Sequence, residues 1–277
     1  MKDVKLVLLG TGSPRPDINR KGPSQVMMID DFPVLIDCGD GTTTQLIKAG
    51  ILPSKVNFLW LTHLHSDHLF GYAQFLIAGW STGRTELTVI GPKGTKKFHQ
   101  QVLEMFQQDI DYRLSVGRSK EGILDVKIIE ITNSGTVHSN FPYPVYTAEM
   151  IHNVTTYGLR FEIDDKIVVF SGDTAPNDEL IKLSRDADIL VHDSCMVDDY
   201  DKLQTKDPGL KVIWTNLMKE HCTPGQAAYT AKNANVKKLV LTHFLPNADV
   251  ETAYQEATAS FLGKVIIGED LKEIKVD

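Results

Sequence analysis

Two stretches of this chain carry one pattern, Val-x-x-Leu-x-Leu-Thr-His, at residues 56–63 and again at 236–243. Each holds an apolar run, Phe58–Leu61 or Leu239–Leu241, the mark of a buried strand, and ends on a hydroxyl and an imidazole. A second match accompanies it. Ile29-Asp30-Asp31, Val34 and Leu46-Ile47-Lys48 recur at one constant displacement as Ile163-Asp164-Asp165, Val168 and Leu180-Ile181-Lys182, with Gly39-Asp40 and Gly172-Asp173 nearly in register between them. Apolar runs flanking an Asp-Asp turn, followed by a helical stretch, describe a strand–strand–helix unit used twice. Two such halves bury their surface when sheet packs on sheet and helices cover the outside. The expectation is an α/β chain with four layers, αββα, as a single domain over residues 1–277 with similar halves of roughly 1–140 and 141–277.

Composition narrows the functional classes. With 42% hydrophobic residues the chain is an ordinary globular one, neither disordered nor collagen-like. No run of about twenty apolar residues is present to span a membrane. The run Leu6–Leu9 is too short for a signal-peptide core, so none is expected. Cys38, Cys195 and Cys222 stand far apart with no CxxC pair, which points to a reducing cytoplasm. A net charge of −7 argues against broad nucleic-acid binding and leaves room for a local positive site made by metal ions.

The strongest local signal is Thr62-His63-Leu64-His65-Ser66-Asp67-His68, placed after the apolar run Phe58–Leu61 and before a helical stretch at Leu69–Trp80. Residues two apart in extended chain point the same way, so His63 and His65 can converge on one ion. Where the chain turns into the helix, Asp67 and His68 are presented together to a neighbouring point. Imidazole and carboxylate donors at this density suit Zn, Mn or Fe, and would be costly to pack without a cation.

This stretch resembles the HxHxDH motif of the metallo-β-lactamase superfamily, and the resemblance runs through nearly the whole chain. Gly39-Asp40-Gly41 is similar to its early Asp-Cys-Gly turn, and Ile151-His152-Asn153 with Tyr157-Gly158-Leu159-Arg160 to its third motif. Phe170-Ser171-Gly172-Asp173-Thr174 resembles the bridging-aspartate motif, and Leu241-Thr242-His243-Phe244 the last one. The resemblance implies two divalent ions, Zn first among the candidates: one held by His63, His65 and His152, the other by Asp67, His68 and His243, with Asp173 between them. Three protein ligands and a bridge would leave each ion positions for water and substrate, as catalytic sites require. A hydroxide shared by the two ions would then be the nucleophile.

Within the superfamily the likeness is to ribonuclease Z and to arylsulfatase- and phosphodiesterase-like hydrolases. Lys219-Glu220-His221-Cys222-Thr223-Pro224 resembles the His-containing motif before that group's penultimate helix, and His192-Asp193 stands where ribonuclease Z has a His-Glu pair. Asp67, His221 and Asp193 are accordingly the residues expected to take part in catalysis, with Asp193 orienting His221 as a proton donor. Thr223 also has a simpler reading, as the cap of a helix starting at Pro224. No Gly/Pro-rich arm precedes His152, and the loop from Gly10 to Ser24 resembles the arylsulfatase and phosphodiesterase branch. The implied enzyme is a binuclear hydrolase acting on a small phosphodiester, with structured RNA a doubtful substrate. Arylsulfatase, lactonase or β-lactamase activity would use the same residues. A di-iron redox protein would have glutamate in place of His65, and a metal-binding protein without turnover would not need Asp67, Asp173 and His221.

Weaker features complete the reading. Lys93, Lys96, Lys97 and His99 could line a phosphate, although such runs are usually a solvated helix face. Trp80, Trp214 and Phe244 suit core packing more often than a pocket. Residues 197–218 show no clear pattern and read as a substrate-determining loop or the contact of a homodimer.

Overall fold

A computed structural model describes residues 1–196 and 208–277. The chain opens with β1 (Val4–Gly10), the hairpin β2 (Ser24–Ile29) and β3 (Phe32–Ile36), and α1 (Thr42–Lys48). Then come β4 (Phe58–Trp60), α2 (Tyr72–Ser81), β5 (Thr88–Pro92), α3 (Thr95–Met105), α4 (Gln107–Ser115) and β6 (Lys127–Ile131). After the short β7 (Gly135–Thr136) follow β8 (Val145–Glu149), β9 (Tyr157–Ile163), β10 (Lys166–Phe170), α5 (Asp178–Leu183) and β11 (Ile189–Asp193). The last stretch holds α6 (Pro208–Leu217), α7 (Pro224–Asn233), β12 (Lys238–Thr242), α8 (Val250–Thr258), β13 (Lys264–Ile267) and β14 (Glu273–Val276).

One sheet runs β14-β1-β2-β3-β4-β5-β6 and the other β13-β12-β11-β10-β9-β8-β7. Strand alternation explains how they stack. Val4, Leu6 and Leu8 of β1 join a buried cluster with Phe161 of β9 and Val168 of β10, whereas Val7 and Leu9 join Leu46, Phe75 and Leu76 beneath the helices. Trp60 seals the inner layer, with its ring centroid 5.3 Å from that of Phe161 in the facing sheet. A third cluster, including Val169, Leu190 and Leu239, packs under α5, α7 and α8. The four layers are αββα, and the central strand β4, buried along its whole length, is apolar as its sequence indicates.

In each sheet an antiparallel hairpin, β2–β3 or β9–β10, leads into a helix, α1 or α5, and then into a parallel strand, β4 or β11. The Val-x-x-Leu-x-Leu-Thr-His repeat does not follow this correspondence. Its first copy contains β4, beside the hairpin, but its second contains β12, separated from β10 by β11. The likeness of 56–63 to 236–243 comes from a shared task, a buried parallel strand ending on a histidine. The stretch expected to be featureless holds α6 at Pro208–Leu217, while 197–207 lie outside the described residues. Residues 116–144 hold β6, β7 and their turns.

Candidate functional site

Parallel strands leave their C-terminal ends at one rim, and polar side chains gather there. Asp37 follows β3; His63, His65, Asp67 and His68 follow β4; Asp173 follows β10; Asp193 ends β11; and His243 follows β12. His152 comes from the turn after β8, and His221 from the segment ahead of α7. A capping box at Thr223, closed by Gln226, fixes the start of α7 and so the exit of that segment. The cap expected at Thr223 is therefore present.

Backbone geometry at these strand ends is unusual. Asp37 and His243 adopt positive φ, 54° and 65°, a cost tolerated where the surroundings over-determine it. Gly172 does the same at 61°, where a Cβ would stand 3.0 Å from Thr156 and 3.1 Å from Thr62. Asp173 is thereby turned into the site. Gly39 meets the Asp67 carbonyl so closely that a Cβ would lie 2.5 Å from its oxygen.

The hydrogen bonds fix which imidazole nitrogens are free. Thr62 Oγ1 donates to Asp37 Oδ2 at 2.9 Å, so at 3.0 Å it accepts from His63 Nδ1. His68 Nδ1 donates to Asp37 Oδ2 at 2.8 Å, and His152 Nδ1 to the Glu220 carbonyl at 3.0 Å. With Nδ1 so engaged, each ring directs Nε2 toward its neighbours. Nε2 of His63 and of His68 is buried without a hydrogen-bond partner. His152 Nε2 meets His65 Nδ1 at 3.1 Å. His243 Nε2 lies 3.2 Å from Asp67 Oδ2 and 3.3 Å from Asp173 Oδ2.

Donor atoms of His63, His65, His152 and Asp173 lie within 4.8 Å of one another, and so do those of Asp67, His68 and His243. Asp173 reaches both groups, at 3.8 Å from His63 Nε2 and 3.4 Å from His68 Nε2. Buried imidazole nitrogens without a hydrogen-bond partner, converging on carboxylates, are what a divalent cation satisfies in place of protons, so the donor set fits a metal centre. The electrostatics agree. Burial pushes the Asp173 carboxyl up, but His243, His68 and His63 outweigh it and hold it well below the usual carboxylate range. His68 is raised well above the ordinary imidazole value because Asp173 and Asp37 overcome the burial penalty, whereas burial and neighbouring imidazoles push His63 well below it.

His221 lies at the edge of this cluster, its ring stacked on His243 with centroids 5.5 Å apart. Its Nδ1 is 2.7 Å from Asp193 Oδ2 and 3.9 Å from Asp173 Oδ2. Burial opposes a charge there, yet Asp193 overrides it and raises His221 to about 9. A histidine protonated at neutral pH at the edge of this donor cluster can deliver a proton.

Two residues escaped the sequence reading. Asp37 orients both Thr62 and His68, so the functional turn is Asp37-Cys38-Gly39, two residues before the Gly39-Asp40-Gly41 assigned from the sequence. Asp40 is exposed, and the Asp-Cys-Gly signal was legible at 37–39. Glu220 acts through its carbonyl, which no side-chain pattern reveals. His99 is buried against the Tyr72 hydroxyl at 2.7 Å and joins no basic rim, while Lys93, Lys96 and Lys97 are exposed. Trp80 and Phe244 are buried in the packing expected of them.

Comparison with known proteins places this arrangement. A β-lactamase superfamily domain matches residues 33–244. Ribonuclease Z from Mycobacterium sp. (strain KMS) is 34% identical over 282 residues, covering 99% of this chain and 96% of that protein. Among solved structures, the metallo-β-lactamase fold protein YhfI from Bacillus subtilis superposes with a TM-score of 0.80 at 20% identity, covering 99% of this chain and 100% of the other. The short form of human tRNase Z superposes with 0.76 at 24% identity, covering 99% of each. A match of this extent, on a site whose donors fit a metal centre, makes the chain a member of the β-lactamase superfamily in its ribonuclease Z branch, and a metal-dependent hydrolase.

Proposed function

We propose that this hydrolase cleaves small phosphodiesters with two divalent ions, Zn by preference, between His63, His65 and His152 on one side and Asp67, His68 and His243 on the other. The observation that carries the reading is Asp173, whose carboxylate reaches both groups of donors. When bound, such a pair of cations activates water at neutral pH and neutralises charge building on a phosphoryl group. The chain's own residues would do the rest. Asp37 and the Glu220 carbonyl hold His68 and His152 in the tautomers that present Nε2. Asp193 keeps His221 protonated, and His221 gives that proton to the departing oxygen.

Ribonuclease Z relatives support an ester of phosphate over a sulfate, lactone or β-lactam. A net charge of −7 and the absence of an arm among residues 116–144 favour a compact substrate over a long polyanion. We further place the enzyme in the cytoplasm, where its buried free Cys38, Cys195 and Cys222 would stay reduced. No described helix is long and apolar enough to cross a membrane. A homodimer is the assembly we propose, with exposed Val212 and Ile213 of α6 as the surface it would cover. The same reading takes 1–277 as one domain of two similar halves, tied by β14 pairing with β1.

Elemental analysis of metal-replete protein, with a panel of chromogenic phosphodiesters, phosphomonoesters, sulfates, lactones and β-lactams, tests this. Two ions per chain and greatest turnover on phosphodiesters are expected. Fewer than one ion, with activity that survives chelation, would refute it.

A further inference from the structure

The loop joining β1 to β2 forms one wall of a cavity of about 380 Å³ that opens beside Asp67, with Arg15 on the loop and Phe70 among the other lining residues. This loop carries Pro14 and Pro16, and its Ile18 is 93% exposed, so local packing does little to order it. Its two ends are instead tied to one carboxylate. Asp270 Oδ1 accepts from the Thr11 amide at 3.0 Å and from Thr11 Oγ1 at 2.8 Å. Asp270 Oδ2 accepts from the Lys21 amide at 2.7 Å and from Gln45 Nε2 at 3.3 Å. Between them the Gly12 amide donates to the Lys21 carbonyl at 2.8 Å, closing the neck.

Arg20 extends the clamp toward the metal centre. Its Nη1 donates to Thr11 Oγ1 at 2.6 Å and to the Gly268 carbonyl at 2.7 Å. The guanidinium lies 4.7 Å from the ring centroid of Phe244, the residue after His243. The Phe244 amide in turn donates to the Thr11 carbonyl at 2.9 Å. One side chain from the segment before β14 thus sets where the loop leaves the sheet, and none of its bonds is made to a residue of the donor cluster.

We propose that Asp270 is a positioning residue for substrate: by holding Thr11 and Lys21 it shapes the cavity beside Asp67, which receives the part of the ester away from the scissile bond. The proposal rests on the hydrolase reading of the adjoining cluster. Removing the carboxylate leaves the Thr11 and Lys21 amides without their acceptor and lets the neck open. Binding shared by ground and transition state is then lost, while the groups that act on the reacting atoms are untouched.

The test compares full-length, metal-replete wild type with Asp270→Ala and Asp270→Asn. Steady-state kinetics use bis(4-nitrophenyl) phosphate, and loop release is read from tryptic cleavage after Arg20 or Lys21 by mass spectrometry. In Asp270→Ala, KM rises about tenfold with kcat within about twofold, and the cleavage rate rises at least about tenfold. Bound metal stays at the wild-type level. Asp270→Asn keeps one acceptor oxygen and falls between the two, and it carries the comparison alone if the alanine variant does not fold. Unchanged tryptic protection overturns the clamp. A released loop with unchanged KM, or a loss confined to kcat, overturns its link to substrate. A wild type that cuts no ester fails the hydrolase reading instead; calorimetric binding of the same diester then replaces KM and decides between the same outcomes.

Discussion

His221 Nδ1 lies 2.7 Å from Asp193 Oδ2, and the other oxygen of that carboxylate is 3.5 Å from His243 Nδ1. One buried aspartate at the end of β11 thus joins a histidine ahead of α7 to one after β12. Asp193 also accepts from the Cys195 amide at 3.1 Å, so it is held before it holds anything else. The pairing orients His221 and favours its charged form, as a proton donor to a leaving group requires.

Replacing His221 with alanine is expected to lower turnover about a hundredfold to ten-thousandfold with both metals retained. An alkoxide leaving group should suffer more than nitrophenolate, which departs without a proton. Asp193→Asn should show the same leaving-group preference in weaker form. Kinetics with the two substrates, alongside metal analysis, check this; equal losses accompanied by lost metal would make His221 a ligand or a structural residue.

Asp173→Ala is expected to weaken binding of both ions, whereas His152→Ala and His243→Ala each weaken one. The carboxylate stands among His63, His68 and His243 and balances charge for all of them. Titration calorimetry on the three variants measures it. Wild-type affinity for both ions in Asp173→Ala would remove the bridge.

Small phosphodiesters should be cut more efficiently than intact precursor transfer RNA. Capture of a long polyanion needs many basic contacts, and the 36 acidic residues against 29 basic ones leave a net charge of −7 that opposes it. Site-specific cleavage of precursor transfer RNA at rates matching the small ester would reverse this order.

His99 gives stability a pH dependence outside the site. It is 5% exposed, and burial lowers it to about 4 from the ordinary imidazole value of 6.5. Below about pH 6.5 the unfolded chain takes up a proton that the folded imidazole refuses, so the stability held above that pH is lost as pH falls toward 4. The loss amounts to at most about 3 kcal/mol. Urea unfolding of wild type and His99→Gln between pH 7 and about pH 4.5 isolates the term, because other groups cancel in the difference. A difference that does not vary with pH would disprove it.

Much of the candidate site was legible in the sequence. His63, His65, Asp67 and His68 declare themselves because a buried strand ends in a dense run of donors, whereas Gly172-Asp173 was picked out by its likeness to a family motif, and the positive φ at Gly172 emerged only in the structure. Asp37 was misread by two residues, since the assignment rested on Gly39-Asp40-Gly41 rather than on a partner for His68. Helices α4 and α6 were missed; α4 starts at Gln107 with only Phe106 between it and the end of α3, and its largely polar residues carry a weak apolar stripe.

Residue order alone determined the chemistry available and the local elements: apolar runs that must be covered on both faces, turns at Asp30-Asp31 and Asp164-Asp165, and imidazoles at strand ends. Periodicity and donor type act over a few residues, and a sequence displays them directly. Tertiary structure decided what those groups meet. That Asp173 stands between His63 and His243, that Asp193 reaches His221, and that Asp270 closes the loop at Thr11 and Lys21 all depend on the strand order of the two sheets and on how their faces pack. Such contacts join residues far apart in the chain, and their geometry is set by sheet pairing and core packing rather than by any local preference.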